Sequence, residues 1–195
     1  MKVLAATNNA HKIREMEQIL SQTGIELVTP KSIGLSLEVV EDGTTFEENA
    51  RKKAQEFSQA SGMAALADDS GLTVNCLGGA PGVYSARYGG EGVLDDAGRV
   101  QLLLKNMRGK EDRSAAFVCA IALVFTDGTM LEVKAECRGK IAEQPAGEGG
   151  FGYDPVFVPE GFDKTFSQLT AEEKNAISHR GKALEKLRDC IGGRL

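Results

Sequence analysis

The segment ALADDSGLTV, residues 65–74, sets Asp68 beside Asp69 at the end of a short apolar run, just before a Ser-Gly turn. Adjacent carboxylates repel and strands disfavour aspartate, so the pair reads as belonging to a strand end and not to a strand interior. Two carboxylates at such a place suit a hard cation. Mg²⁺ takes oxygen ligands, usually one or two carboxylates beside phosphate and water. One aspartate can hold the ion while its neighbour points elsewhere or serves as a base. Asp-Asp-Ser-Gly is also good turn material, so the pair alone leaves both readings open.

Four further stretches carry polar side chains in suggestive places. TNNAHK, residues 7–12, follows a first apolar run and opens a helical pattern. Ligands collect at the carboxyl ends of strands in α/β sheets, and N–H groups at a helix start attract anions. Thr7, Asn8 and Asn9 can hydrogen-bond there and Lys12 adds a positive charge, although simple turn chemistry also accounts for the segment. The glycines of a Walker loop are missing. Glu41 and Asp42 precede Gly43, with Glu47 and Glu48 just beyond. Acidic residues in a first helical turn offset the helix dipole, which suits Glu47 and Glu48 better than Glu41. Lys52 and Lys53 read as solvated, or one of them faces a cleft.

EGGFGYDP, residues 148–155, offers small residues that let a flat ligand approach the backbone. Phe151 and Tyr153 can stack on such a ligand and Asp154 can accept hydrogen bonds, unless the aromatics simply plug the core. KNAISHRGKAL groups Lys174, Ser178, His179 and Arg180. A continuous helix would put Lys174 and Ser178 on one face. Phosphate donors, an acidic set, an aromatic slot and a second cationic group together suit a metal-bound nucleoside phosphate.

The elements that must position these residues are legible in outline. KVLAA predicts a buried first strand, HKIREMEQIL a helix, and IELVT a second short strand. Thr45, three residues before Glu48, opens a helix with a capping box, and Gly62 closes it. MAALA and LTVNCL predict short strands on either side of the aspartate pair. GGAPGVYSARYGGEG reads as loop, too rich in glycine for a regular element. DDAGRVQLLLKNM predicts a helix. RSAAFVCAIALVF and TMLEVKAECRGKI predict long strands joined by a hairpin at Asp127-Gly128. PAGEGGFGYDP is loop, VFV a strand, and SHRGKALEKLRDCI a final helix that could continue from TAEEKNAI, where Thr170 and Glu173 fit another capping box. One α/β unit with a mixed sheet follows.

Bulk properties narrow the function. The chain has 195 residues, 42% hydrophobic and 26% charged, enough for a substantial core in one domain or two closely packed lobes. A net charge of −5 disfavours duplex nucleic acid and anionic membrane as partners. Cys76, Cys119, Cys137 and Cys190 form no C-x-x-C pair and read as buried, reduced thiols, and two histidines argue against a His-rich metal site. The first apolar run is too short for a signal peptide, and no stretch reaches the ~18–20 apolar residues of a membrane span. A cytoplasmic protein is expected.

The stretches ATNNAHKIREM, TTFEENA, ADDSGLTVNCLGGAPGVYSARYGG, GEGGFGYDPVF and LTAEEKNAISHRGKAL, in this order, resemble the inosine/xanthosine triphosphate pyrophosphatase family over almost the whole chain. That family often has glycine where Asn8 stands. The resemblance implies a single domain over 1–195. Its fold would be α/β, an elongated mixed twisted sheet with flanking helices and two lobes around a central cleft, in a homodimer. It implies Mg²⁺-dependent hydrolysis of ITP, dITP and XTP to the monophosphate and pyrophosphate. By the same resemblance Thr7, Asn8, Asn9, Ala10, His11 and Lys12 contact the triphosphate, with Lys53 as a helper. Asp69 is the catalytic base and a metal ligand, Glu41 the other metal carboxylate, and Ser70 touches substrate. Phe151, Gly152, Tyr153, Asp154, Lys174, His179 and Arg180 hold the base and sugar. A septum-inhibitor (Maf-like) pyrophosphatase of different base preference, or a nucleotide-binding regulatory module without catalysis, are the alternatives.

Overall fold

The computed structural model describes residues 1–21, 23–93 and 95–192. Among them the strands are β1 (Lys2–Ala5), β2 (Glu26–Val28), β3 (Ala65–Val74), β4 (Ser114–Val124), β5 (Met130–Ile141) and β6 (Phe157–Pro159). The helices are α1 (Ala10–Leu20), α2 (Phe46–Ser61), α3 (Asp96–Asn106), α4 (Ala171–Ile177) and α5 (His179–Ile191). The strands form one mixed sheet in the order β2-β1-β3-β4-β5-β6. β1 runs parallel to both neighbours, with Leu4 opposite Val28 and Ala65, and β5 runs antiparallel to β6, with Gly139 opposite Pro159.

Local chemistry accounts for the ends of the elements. Asn9 caps α1 by accepting from the N–H groups of His11 and Lys12 at 2.9 and 3.2 Å. Thr45 and Glu48 form the expected capping box on α2, and Gly62 closes that helix at φ 68°, a conformation that costs glycine little. Thr170 and Glu173 form a second box on α4. Replacing Thr45 by Ala removes an acceptor worth about 1 kcal/mol, which should lower Tm by about 2–4 °C in a thermal melt.

The chain gathers into two units. One comprises Met1–Asp69, Cys119–Ala135 and Arg180–Leu195, the other Ser70–Val118 and Glu136–His179. In the first unit Val3, Leu66, Ile121 and Leu123 pack against Met16 and Leu20 of α1 and Ala183, Leu184 and Leu187 of α5. In the second, Leu72, Phe117, Phe157 and Phe166 pack with Val100 and Leu103 of α3.

Four expectations require correction. β3 is one continuous strand through Asp68 and Asp69, not two strands flanking them. Side chains alternate along a strand, so the two carboxylates point to opposite faces and their repulsion is not the obstacle that adjacency suggested. The end of the expected second strand, residues 75–77, is a 3-10 turn. The glycine-rich stretch after it also holds 3-10 turns at Gly82–Arg87 and Gly90–Gly92. Finally, α4 stops at Ser178, whose ψ of 158° is extended, so α4 and α5 are separate helices and Lys174 and Ser178 do not share a helical face.

The cysteines divide by burial: Cys119 and Cys137 are buried, Cys76 is half-buried and Cys190 is exposed. Burial, with the negative field of Asp68 second, pushes the Cys119 thiol up to about 12. Iodoacetamide at pH 8 should therefore modify Cys190 and spare Cys119, as read by peptide mass spectrometry. No helix among the described residues is long and apolar enough to cross a membrane.

Candidate functional site

The first unit holds a charged cluster built around the aspartate pair. Asp68 shares its face of β3 with Leu66, on the side packed by α1 and α5. It is fully buried and meets Lys12 Nζ at 3.1 Å, while the Nη2 and Nε groups of Arg180 donate to it at 2.9 and 3.3 Å. Arg180, 1% exposed, also donates to Glu15 of α1. Burial alone would raise the Asp68 carboxyl. The fields of Lys12, Arg180 and Lys53 outweigh it and hold that carboxyl far below the usual range.

Asp69 looks to the opposite face, toward α2. Asn49 Nδ2 donates to its Oδ2 at 3.0 Å, and Lys53 Nζ lies 3.7 Å from its Oδ1. Lys53 also pairs with Glu41, in the loop before α2, so one ammonium serves two carboxylates. Asn49 and Lys53 stand one helical turn apart, which brings both to the same face of α2. Burial is the chief influence on Asp69 and repulsion from Glu41 adds to it. Lys53 and Lys12 oppose without cancelling, and the carboxyl sits above its ordinary value. The carboxyls of the neighbouring aspartates are thus shifted in opposite directions, Asp68 down and Asp69 up.

The loop before α1 contributes more modestly. Asn9 spends its side-chain oxygen on the helix cap, Thr7 Oγ1 accepts from the Asn9 N–H at 3.2 Å, and Asn8, Ala10 and His11 are exposed. Lys12, in the first turn of α1, is the residue of the 7–12 segment that joins the cluster. Ser70 follows Asp69 along β3 and is half-buried.

The second unit holds a separate aromatic and cationic set. Asp154 Oδ2 accepts from the Phe151 N–H at 2.9 Å and from Lys174 Nζ at 2.6 Å. The Lys174 ammonium also lies over the rings of Phe151, 4.9 Å from its centroid, and Phe166, at 5.7 Å. Phe151 is half-buried, whereas Tyr153 is 3% exposed and donates from its phenol to the Ser85 carbonyl at 2.9 Å. Burial pushes that phenol well up. Gly152 donates its N–H to Asp96 at 2.7 Å, which steadies the loop. His179 stacks on Phe117 with centroids 4.7 Å apart.

Sequence reasoning passed over Asn49 and Glu15. Each left a trace: Glu15 stands one helical turn from Lys12, and Asn49 is a poor helix former four residues before Lys53. Among the described residues no group of three or more His, Cys, Asp or Glu could hold a metal ion. A metal here would rest on one or two carboxylates completed by ligands from outside the chain.

Fold and cluster together define a mixed α/β protein whose central strand presents two adjacent buried carboxylates to cations on opposite faces. The Ham1 family model matches residues 3–190, and the chain belongs to the Ham1 family. Relatives include the dITP/XTP pyrophosphatase of Desulfotalea psychrophila, 47% identical over 95% of this chain and 83% of that one. The dITP/XTP pyrophosphatase of Bacillus subtilis is 45% identical over 95% and 94%. A HAM1 protein from Coxiella burnetii superposes with a TM-score of 0.89 at 39% identity, covering 99% of both chains. The Staphylococcus aureus Ham1 protein gives 0.88 at 38% identity, covering 100% of both.

Proposed function

We propose that this protein is a nucleoside triphosphate pyrophosphatase that hydrolyses dITP, XTP and ITP to the monophosphate and pyrophosphate. It would work with Mg²⁺, as a cytoplasmic homodimer acting on free nucleotides and not on nucleic acid or membranes. The observation that carries this reading is the Asp69 carboxyl, buried, raised above its ordinary value and set beside Lys53 and Glu41. It occurs in a chain 45–47% identical to dITP/XTP pyrophosphatases.

Glu41 and Asp69 are hard oxygen donors, the kind Mg²⁺ takes in ones and twos beside phosphate and water. When bound, the ion would neutralise charge on the phosphate oxygens. The chain's own groups then have distinct tasks. Asp69 accepts a proton from the water that attacks the α-phosphorus, while the bond from that phosphorus to the bridging oxygen breaks and pyrophosphate leaves. Lys12 and Lys53 offset the charge that develops on the oxygens. The remaining residues of the 7–12 segment, Thr7, Asn8, Asn9, Ala10 and His11, line the triphosphate end, and Ser70 touches substrate.

Base recognition falls to the second unit. Phe151 offers a half-buried ring to stack on a purine, with Gly152, Asp154 and His179 around it and Tyr153 supporting the loop from the core. Lys174, which pairs with Asp154, is the donor assigned to the keto oxygen at C6 of hypoxanthine and xanthine. Adenine has an amine there, and a site built on such a donor rejects the wrong group by roughly 10⁴–10⁵. Arg180 is engaged by Asp68 and Glu15, and the family resemblance assigns it to substrate binding as well.

The test is a panel of nucleoside triphosphates assayed for pyrophosphate release with Mg²⁺ and with EDTA. Hydrolysis of dITP, XTP and ITP far ahead of ATP, abolished by chelation, supports the reading. Comparable kcat/KM for ATP and ITP, or activity indifferent to EDTA, overturns it. In ¹⁸O-labelled water the heavy oxygen should enter the monophosphate alone.

A further inference from the structure

We infer that Asn49 is a positioning residue that sets the separation and orientation of the Glu41 and Asp69 carboxylates. The inference rests on the reading of those two groups as the metal-holding pair. Asn49 lies on α2, 0% exposed, and its amide is engaged in both directions. Nδ2 donates to Asp69 Oδ2 at 3.0 Å, and Oδ1 accepts from the Gly43 N–H at 2.8 Å. A carboxylate needs a donor and an N–H needs an acceptor, so only one orientation of the amide satisfies both.

One short side chain therefore ties a carboxylate on β3 to the loop that carries Glu41, two residues before Gly43. The loop can come this close because position 43 has no side chain. A Cβ there would stand 2.6 Å from Asn49 Oδ1 and 2.8 Å from Glu48 Cβ. Lys53 reinforces the arrangement from one turn further along α2 by meeting both carboxylates. Its ammonium attracts them without fixing an angle, whereas the planar amide of Asn49 fixes the direction in which Asp69 points.

The cost of asparagine at this position indicates that it does more than fill space. Asparagine is a weak helix-interior residue, and an apolar side chain would occupy the volume without polar groups to satisfy. Carboxylates that hold metals are themselves held by hydrogen bonds, and losing such a partner reduces metal affinity or activity by roughly 10–100-fold.

The experiment compares the full-length wild type with Asn49→Leu, Gly43→Ala and Thr45→Ala. Mn²⁺ is the binding probe, read by electron paramagnetic resonance, because carboxylate sites take Mn²⁺ as they take Mg²⁺. Steady-state kinetics on ITP over a range of Mg²⁺ and a thermal melt complete the set. Asn49→Leu should weaken Mn²⁺ binding and raise the half-activating Mg²⁺ concentration by roughly 10–100-fold. It should lower kcat with KM for ITP at saturating Mg²⁺ little changed. Gly43→Ala pushes the loop away from Asn49 Oδ1 and Glu48 while leaving the Asn49 side chain in place, and should move Mn²⁺ binding in the same direction, which keeps the test open if Asn49→Leu does not fold. Thr45→Ala weakens α2 through its cap and should lower Tm without altering Mn²⁺ binding. The inference fails if Asn49→Leu or, should that not fold, Gly43→Ala binds Mn²⁺ and turns over as the wild type does. It also fails if Thr45→Ala, at a comparable loss of Tm, weakens Mn²⁺ binding as much as they do. A wild type that neither binds Mn²⁺ nor hydrolyses ITP would instead remove the functional reading itself, and this inference with it.

Discussion

Asp69→Asn should lose about 10²–10⁴-fold in kcat, the range that a positioned general base supplies, with KM for ITP changing much less. The substitution keeps the shape and leaves an oxygen for Asn49 Nδ2 to bond, so the loss reports charge and proton acceptance. Stability should move the other way. Burial and Glu41 raise the Asp69 carboxyl, which means that folding favours its neutral form and that its charge costs stability as pH climbs through the folded value. A neutral amide removes that cost, and Tm at pH 7 should match or exceed the wild type. Steady-state kinetics beside a thermal melt check both halves. A variant that is inactive because it is unfolded, or one that turns over normally, would contradict the assignment.

The second large effect is on stability. Arg180→Met leaves the buried Asp68 carboxylate, beside Lys12, and the half-buried Glu15 carboxylate without the guanidinium that bridges them. Removing one partner of a buried pair costs about 3–5 kcal/mol, and for a chain of this size Tm should fall by roughly 6–20 °C. The difference should depend on pH in a defined direction. Asp68 is held below its ordinary value of 3.8, so its contribution is full above that value and is lost as pH falls toward the folded one. Without Arg180, protonation of Asp68 becomes favourable in the folded state. The Tm gap between wild type and variant should thus narrow as pH drops below about 4. A gap independent of pH would mean that lost packing, and not lost charge pairing, explains the destabilisation.

Much of the fold was legible because it is governed by short-range chemistry. The capping boxes at Thr45 and Thr170, the glycine after α2, the hairpin turn at Asp127-Gly128, the apolar run of β4 and the alternating pattern of β5 all stand where their local patterns place them. The misreading at Asp68 and Asp69 came from the same source. Propensity judges a residue by its neighbours in sequence, and two adjacent acids in a strand look unfavourable until the strand has two faces with a cation on each. Continuity across Ser178 failed for a related reason, since nothing within a few residues distinguishes an unbroken helix from two that meet at an extended serine.

The site divides along the same line. Residue types and their local spacing determined that carboxylates, lysines and an aromatic glycine loop were present in quantity, while the family resemblance singled out Asp69, Glu41, Lys12 and Lys53 among them. Only the tertiary structure decided who meets whom. Asp68 and Arg180 are 112 positions apart and Asp69 and Asn49 are 20 apart, and no periodic signal reaches over such distances. Packing brings α1 and α5 to one face of β3 and α2 to the other. Burial then makes those encounters strong enough to drive two adjacent aspartates toward opposite protonation behaviour.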